Sequence, residues 1–287
     1  MRRAICNVTM SVALCAGVLG VFAAPAAAQD PKVAVTGGVD FSNRYSFRGI
    51  RQNGGEVSIW PFVDAGIPLS SGDGALKSVT LNLGTWNAFH TEIDKASFVN
   101  RDGEPTGNKW YESDLYATLG LGFGTTTLGF TYTSYMSPAN LWHNVQELAV
   151  KVSFDDSGAL GKGALKPYGL VAFELGDGGA DGVSEKGTYV ELGIAPGYSA
   201  DKASIAFPIK IGLSAKDYYE FGTGDDSKFG YFSVAGIATV PINSNWNVHG
   251  GLELQVYGDR LRDVNRYGDS FDRKYAPIAS VGIGFSY

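Results

Sequence analysis

Ser280-Val281-Gly282-Ile283-Gly284-Phe285-Ser286-Tyr287 closes the chain with apolar side chains alternating against glycine and serine. Such period-two alternation marks a half-buried strand. In water, an unpaired edge carrying Val, Ile, Phe and Tyr invites aggregation. A barrel closed in a bilayer pairs that edge and gives the apolar face to lipid. The stretch therefore reads as a strand that finishes in a membrane.

The other end carries Arg2 and Arg3, an apolar run from Val12 to Ala24, and an Ala26-Ala27-Ala28 triplet before Gln29. This is the pattern of a secretory signal peptide cleaved after Ala28, leaving 29–287 as the barrel. The apolar run falls short of the roughly 20 residues a helical span needs. Both cysteines, Cys6 and Cys15, lie within 1–28, so the remainder has no thiol for a disulfide, a metal or a nucleophile. Loss of Arg2 and Arg3 takes the formal net charge from −6 to −8. A chain this acidic is not expected to seek nucleic acid. Beyond the leader, no stretch reaches the ~18 consecutive apolar residues of a transmembrane helix, so any spanning structure must be a β-barrel. Glycine occurs 39 times, about twice the ~7% of average usage. Glycine alternating with abundant aromatics suits crowded interior positions and aromatic girdles.

From Lys32 onward, period-two runs alternate with Gly, Asp, Asn and Ser clusters. They predict about twelve strands, near 33–47, 56–68, 77–90, 109–123, 126–136, 145–155, 165–175, 187–199, 203–216, 228–241, 245–258 and 273–287. The fold class expected is all-β, a transmembrane antiparallel up-and-down barrel with an even strand count. Short turns and long loops should alternate, with long outer loops at 48–55, 91–108, 137–144, 176–186, 217–227 and 259–272 and both termini in the periplasm. Parity sends Leu148, Val150, Val152 and Phe154 to lipid, and Glu147, Lys151 and Ser153 to the lumen. A soluble sandwich or lipocalin-like barrel would turn the same apolar face inward. Twelve long strands exceed the eight of a lipocalin, and a secreted sandwich this large more often carries disulfides. The last strand should pair with 33–47 to close the barrel, with Phe285 and Tyr287 facing lipid at its rim.

At the end of the first predicted strand, Tyr45-Ser46-Phe47-Arg48-Gly49-Ile50-Arg51-Gln52 resembles the Tyr-x-Phe-Arg-Gly-Ile-x-Gln signature of the TorF-type porin family of proteobacterial outer-membrane proteins. The resemblance implies an outer-membrane barrel in a Gram-negative bacterium and no particular substrate. The terminal strand likewise resembles the signal read by the barrel-assembly machinery, with Ser280, Gly282, Phe285 and Tyr287 in its places. Lipid and lipopolysaccharide are the surroundings implied. The oligomeric state is left open.

Parity places Asp40, Arg44, Arg48, Asp64, Asp114, Glu147, Lys151, Glu174, Glu191, Lys210, Glu253 and Lys274 in the lumen, with acids outnumbering bases. Charges belong there, because Arg or Lys facing lipid at the midplane costs about 2–4 kcal/mol. The expected function is a narrow passive channel for small hydrophilic solutes or ions. In it, Arg44 and Arg48 face carboxylates such as Asp64 and Glu253 across a constriction, and the acidic surplus confers mild cation preference. The competing arrangement has these charges pair with one another and fill the barrel. Two further readings stand beside the channel: a barrel enzyme, and a structural or adhesive barrel. Catalysis would draw on His90, His143 or His249, near serines such as Ser97 and Ser137, but none lies in a nucleophile motif. The acidic glycine-rich stretches at 176–182 and 222–226 lack calcium-loop spacing, and 158–163 lacks that of a phosphate loop. No cofactor or metal is expected.

Overall fold

The computed structural model describes residues 33–92, 99–183, 185–200, 202–222, 224–265 and 274–287. The expected leader, 1–28, and Ser97 lie outside them. Among these described residues, sixteen strands are distinguished. Antiparallel pairing runs from β1 (Ala34–Ser42) to β4 (Ser58–Ser71), β5 (Ser78–His90), β6 (Trp110–Phe123), β7 (Thr126–Met136), β8 (Val145–Phe154) and β9 (Tyr168–Glu174). It continues through β10 (Thr188–Ile194), β13 (Ile209–Lys216), β14 (Phe229–Pro241), β15 (Trp246–Tyr257) and β16 (Tyr275–Ser286) back to β1. The result is a closed barrel of twelve staves, as the alternation predicts.

Two staves bend. Pro196 separates β10 from β11 (Gly197–Ala200), and Pro208 separates β12 (Ala203–Ala206) from β13. Proline cannot donate to a ladder, so the predicted strands 187–199 and 203–216 are each interrupted. The sheet stays joined because Phe207 N donates to Pro196 O at 2.8 Å, Ala235 N to Pro208 O at 2.9 Å and Ala195 N to Leu165 O at 2.8 Å. Short turns such as Gly124-Thr125, where Gly124 adopts φ +69°, lie at the end bearing Ala34 and Tyr287, where the 155–167 connection is longer and carries a helical turn at Ser157–Leu160.

The outer surface is the apolar one. Leu115, Val152, Leu192, Leu252 and Val281 are exposed, as a lipid-wetted wall requires. Inside, tyrosines lie over glycines of neighbouring staves. A Cβ on Gly84 would run into Tyr116, one on Gly193 into Tyr168 and one on Gly212 into Tyr231. Part of the glycine excess is room for these inward rings.

The closing pairing is as the last strand foretells, though shorter on the β1 side: Thr36↔Ser286 through Ser42↔Ser280. Trp246, Phe285 and Tyr287 form an outward aromatic row, with ring centroids 5.4 and 5.8 Å apart. Gly282 also has a packing duty. Its missing side chain leaves room for the inward pair His249 Nε2 and Asp40 Oδ1, 2.5 Å apart, and a Cβ would collide with both. Gly282→Ala is expected to weaken closure. The folded, fast-migrating band on unheated gels should be lost at a lower temperature than in the parent; an unchanged transition would show that the seam has slack.

The first strand departs from expectation. β1 stops at Ser42, and residues 45–52 turn into the barrel as a small hairpin, β2 (Ser46–Phe47) and β3 (Ile50–Arg51). Its tip, Arg48-Gly49, has φ +48° and +84°, the left-handed pair of a two-residue hairpin turn. Residues 44–51 are all buried. The predicted outer loop at 48–55 is thus largely an internal plug.

Candidate functional site: the plugged lumen

Apolar and aromatic contacts seat the hairpin at the long-loop end. Tyr45 lies among Trp60, Trp86 and Tyr111, with centroids 5.3–6.3 Å away. Phe47 meets Tyr135 edge-on at 5.3 Å. Ile50 packs in a second cluster with Tyr189, Tyr218, Tyr219, Tyr231 and Leu261. Leu261 belongs to a short helix, Asp259–Val264, within the predicted outer loop 259–272, and that helix lies across the plug. Next to it, Asn265 accepts from Arg51 N at 2.9 Å and donates to Gly49 O at 2.8 Å.

Arg48 at the tip is held most tightly. Its Nη1 and Nη2 donate to Glu147 Oε2 and Oε1 at 2.5 and 2.7 Å, and Nη1 also donates to the Tyr218 hydroxyl at 2.9 Å. The guanidinium lies 4.2 Å from the Tyr189 ring centroid. Both members of the ion pair are almost wholly buried, at 5% and 3% side-chain exposure. The bidentate fork and the ring face match the geometry that makes such contacts strong.

The predicted lumen residues are therefore on the inner side, but in local partnerships. Arg48 meets Glu147 rather than Asp64 or Glu253. Arg44 is buried beside Tyr257. Asp64 reaches Tyr116, and Asp114 lies beside Glu112, a carboxylate the same parity points to and the sequence reading passed over. Glu174 accepts from Ala180 N and Gly187 N, both at 2.7 Å, drawing the 175–187 loop over the mouth. Glu191 takes the hydroxyls of Tyr168, Tyr189 and Tyr231 at 2.8, 2.7 and 3.2 Å. Glu253 takes Ser233 Oγ at 2.5 Å, and Gln255 links it to Ser46 of the plug. Lys274 is the exception: it is exposed at the rim, one residue before β16, and lines nothing inside.

The inward lysines, Lys151 and Lys210, have Glu191 of β10 as their charged neighbour. Lys151 on β8, 4.6 Å from the Tyr168 ring, and Lys210 on β13 occupy one side. Asp40 on β1, Asp64 on β4 and Glu253 on β15 lie on staves at the other.

The histidines take structural contacts. His90 has no exposed surface; its Nδ1 is 3.1 Å from Ser58 Oγ and its Nε2 is 3.2 Å from Gln52 O. Ser137 instead caps a turn, accepting from Leu141 N at 3.0 Å. His143 is exposed, and His249 pairs with Asp40. In the glycine-rich loops, Asp181 accepts from Val183, Glu220 and Phe221 backbone N–H groups. Burial raises its carboxyl above the ordinary range despite those bonds. Asp226 goes the other way: against burial, Lys228 and Ser214 hold its carboxyl low.

Above the plug lies a cavity of about 290 Å³, bounded by the hairpin, β6, β7 and the loops at 142, 179–182 and 221.

Neither a protein-family model nor a curated protein matches the sequence. Solved structures do resemble the fold. An outer membrane channel from Pseudomonas putida F1 is 12% identical, with 90% of this chain and 97% of that one covered and a TM-score of 0.52. The NanC porin is 11% identical over 88% and 99%, with a TM-score of 0.44. The Salmonella typhi outer membrane phospholipase dimer with bound calcium is 12% identical over 88% and 89%, also at 0.44. The fold is that of an outer-membrane β-barrel.

Proposed function

We propose that the protein is a porin-like outer-membrane channel, shut at the long-loop end by the 45–52 hairpin. Small hydrophilic solutes or ions pass when the hairpin shifts. One observation carries this reading: the inner wall is open to solvent toward the terminus end and sealed at the plug. Thr36, Asp64, Asn82, Lys151 and Lys210 are only half-buried, whereas Trp60, Tyr189 and Gln255 around the plug have no exposed surface. A barrel serving only as scaffold or adhesive platform gains nothing from a wet, charged half-lumen, because each inward charge there forgoes packing.

In this reading the long loops face outward and both termini lie in the periplasm, after removal of 1–28. Ser280, Gly282, Phe285 and Tyr287 are read by the assembly machinery, and lipid and lipopolysaccharide surround the wall. The TorF-type resemblance falls on the plug itself, Tyr45 to Gln52. Openings of the parent protein in planar bilayers are expected to be rare, with a reversal potential displaced modestly toward the cation. Anion selectivity, or no conductance from either the parent or a plug-excised chain, would overturn the proposal.

A further inference from the structure

We propose that Glu112 and Asp114 hold one proton between them and that this proton latches the plug. While it is held the hairpin stays seated, and its loss drives the hairpin out. The gating that follows rests on the channel reading; the latch itself does not.

The two residues stand two apart on the inner side of β6, at 5% and 3% exposure. Their side chains are hydrogen-bonded to each other. A carboxylate only accepts, so a bond between two carboxyl groups contains a proton. Among the described residues no other donor reaches Asp114 Oδ1, which is buried. With both groups ionised, that oxygen would keep its charge away from water and without a partner, a costly arrangement. The pair is tied directly to the plug, because the Tyr45 hydroxyl donates to Glu112 Oε2 at 2.8 Å.

Other charged and titratable groups surround the pair. On the plug, Arg48 is paired with Glu147 of β8, and Arg51 gives its Nε to Asn53 O at 2.6 Å and its Nη2 to Gly54 O. β6 adds Tyr111 and Tyr116, the second bonded to Asp64 of β4. β7 adds Tyr135, whose hydroxyl lies 3.4 Å from Glu147 Oε1. His90 of β5 lies 4.6 Å from the Tyr111 ring, centroid to centroid.

Loss of the shared proton sets two like charges side by side in a dry site, with Glu147 as a third nearby. β6 cannot retreat from them, since it is paired along both edges, to β5 and to β7. The hairpin can leave, and its departure admits water to both carboxylates. The proton is held at low pH and lost as pH rises, so the plug should unseat on the alkaline side. His90, which has no exposed surface, has the opposite sign: it would gain charge as pH falls and loosen the plug on the acid side.

A cysteine on the hairpin reads the latch without any conductance. In the processed barrel, which lacks Cys6 and Cys15, Ser46→Cys is buried and Ser244→Cys, in an exposed turn, serves as reference. Labelling of the first by a neutral maleimide, relative to the second, is expected to rise about tenfold between about pH 6 and pH 9 in detergent. In Glu112→Gln the amide donates to Asp114 and its carbonyl still accepts from Tyr45, so no proton is needed and the rise should disappear. Asp114→Asn should do the same while leaving the Tyr45 bond untouched, and replaces the first variant should that one not fold. A ratio that is flat or falls with pH in the parent, or that rises equally in the folded carboxyl variants, overturns the latch; if neither variant folds, the parent's response decides. Openings in bilayers should become more frequent over the same pH range. A labelling response without that change sinks the gating and leaves the latch standing.

Discussion

Excision of the plug is expected to convert a mostly silent barrel into one that conducts steadily. Ser42 and Ser58 lie directly opposite each other in the β1–β4 ladder. Residues 43–57 can therefore be replaced by an Asn-Gly turn, whose twist suits two adjacent antiparallel strands. The ladder from Ala34↔Gly66 to Ser42↔Ser58 remains, as does the closing seam to β16. What leaves is the hairpin with Tyr45, Phe47, Arg48 and Ile50, and water takes its place against Glu147, Gln255 and the tyrosines. Single-channel recording should show openings at least severalfold larger or more frequent than in the parent, from protein that still migrates as a folded barrel. A folded excised chain that conducts no better would mean that the wet half-lumen leads nowhere.

The second large effect is expected at Arg48. Arg48→Ala leaves Glu147, at 2% exposure, as a buried carboxylate without its cation. Breaking a buried ion pair from one side costs about 3–5 kcal/mol. The stacking on Tyr189 is lost too. Denaturant unfolding followed by tryptophan fluorescence should register the loss, and recordings should show a flickering, partly unseated plug. Replacing both partners, Arg48→Ala with Glu147→Leu, removes the stranded charge and should recover a large part of the stability. Flicker should persist in the double variant, because the tip is still untethered. If Arg48→Ala unfolds within about 1 kcal/mol of the parent, water already reaches the pair and the burial argument fails.

The barrel was legible because lipid on one side and a polar lumen on the other impose strict parity, which survives from β1 to β16. The plug was not, for a specific reason. Tyr45 and Phe47 continue the outward parity of Val35, Val39 and Phe41, while Arg44, Ser46 and Arg48 continue the inward parity of Asp40 and Ser42. A strand prolonged to 47 satisfies the pattern as well as a turn inward does. The cue was Arg48-Gly49 between Phe47 and Ile50, an X-Gly pair of the kind that closes two-residue hairpins. Pro196 and Pro208 were a similar cue to the bent staves.

Parity also assigns a face without a height or a direction across the lumen. It placed Arg48 and Glu147 inside but could not join them, 99 residues apart. Lys274 went astray by one residue, since β16 begins at Tyr275.

The vacancy at Gly282 bears on how the chain knows it has closed correctly. When the first and last strands meet, a one-residue slip would reverse the faces of a whole strand, but a two-residue slip would keep every face right. Only the native register sets Asp40 beside His249 over a position with no side chain. A two-residue slip moves Asp40 about 7 Å along the strand and parts it from His249. The seam thus works as a checksum, accepting one alignment of the first strand with the last and rejecting a neighbour that hydrophobic patterning alone would pass.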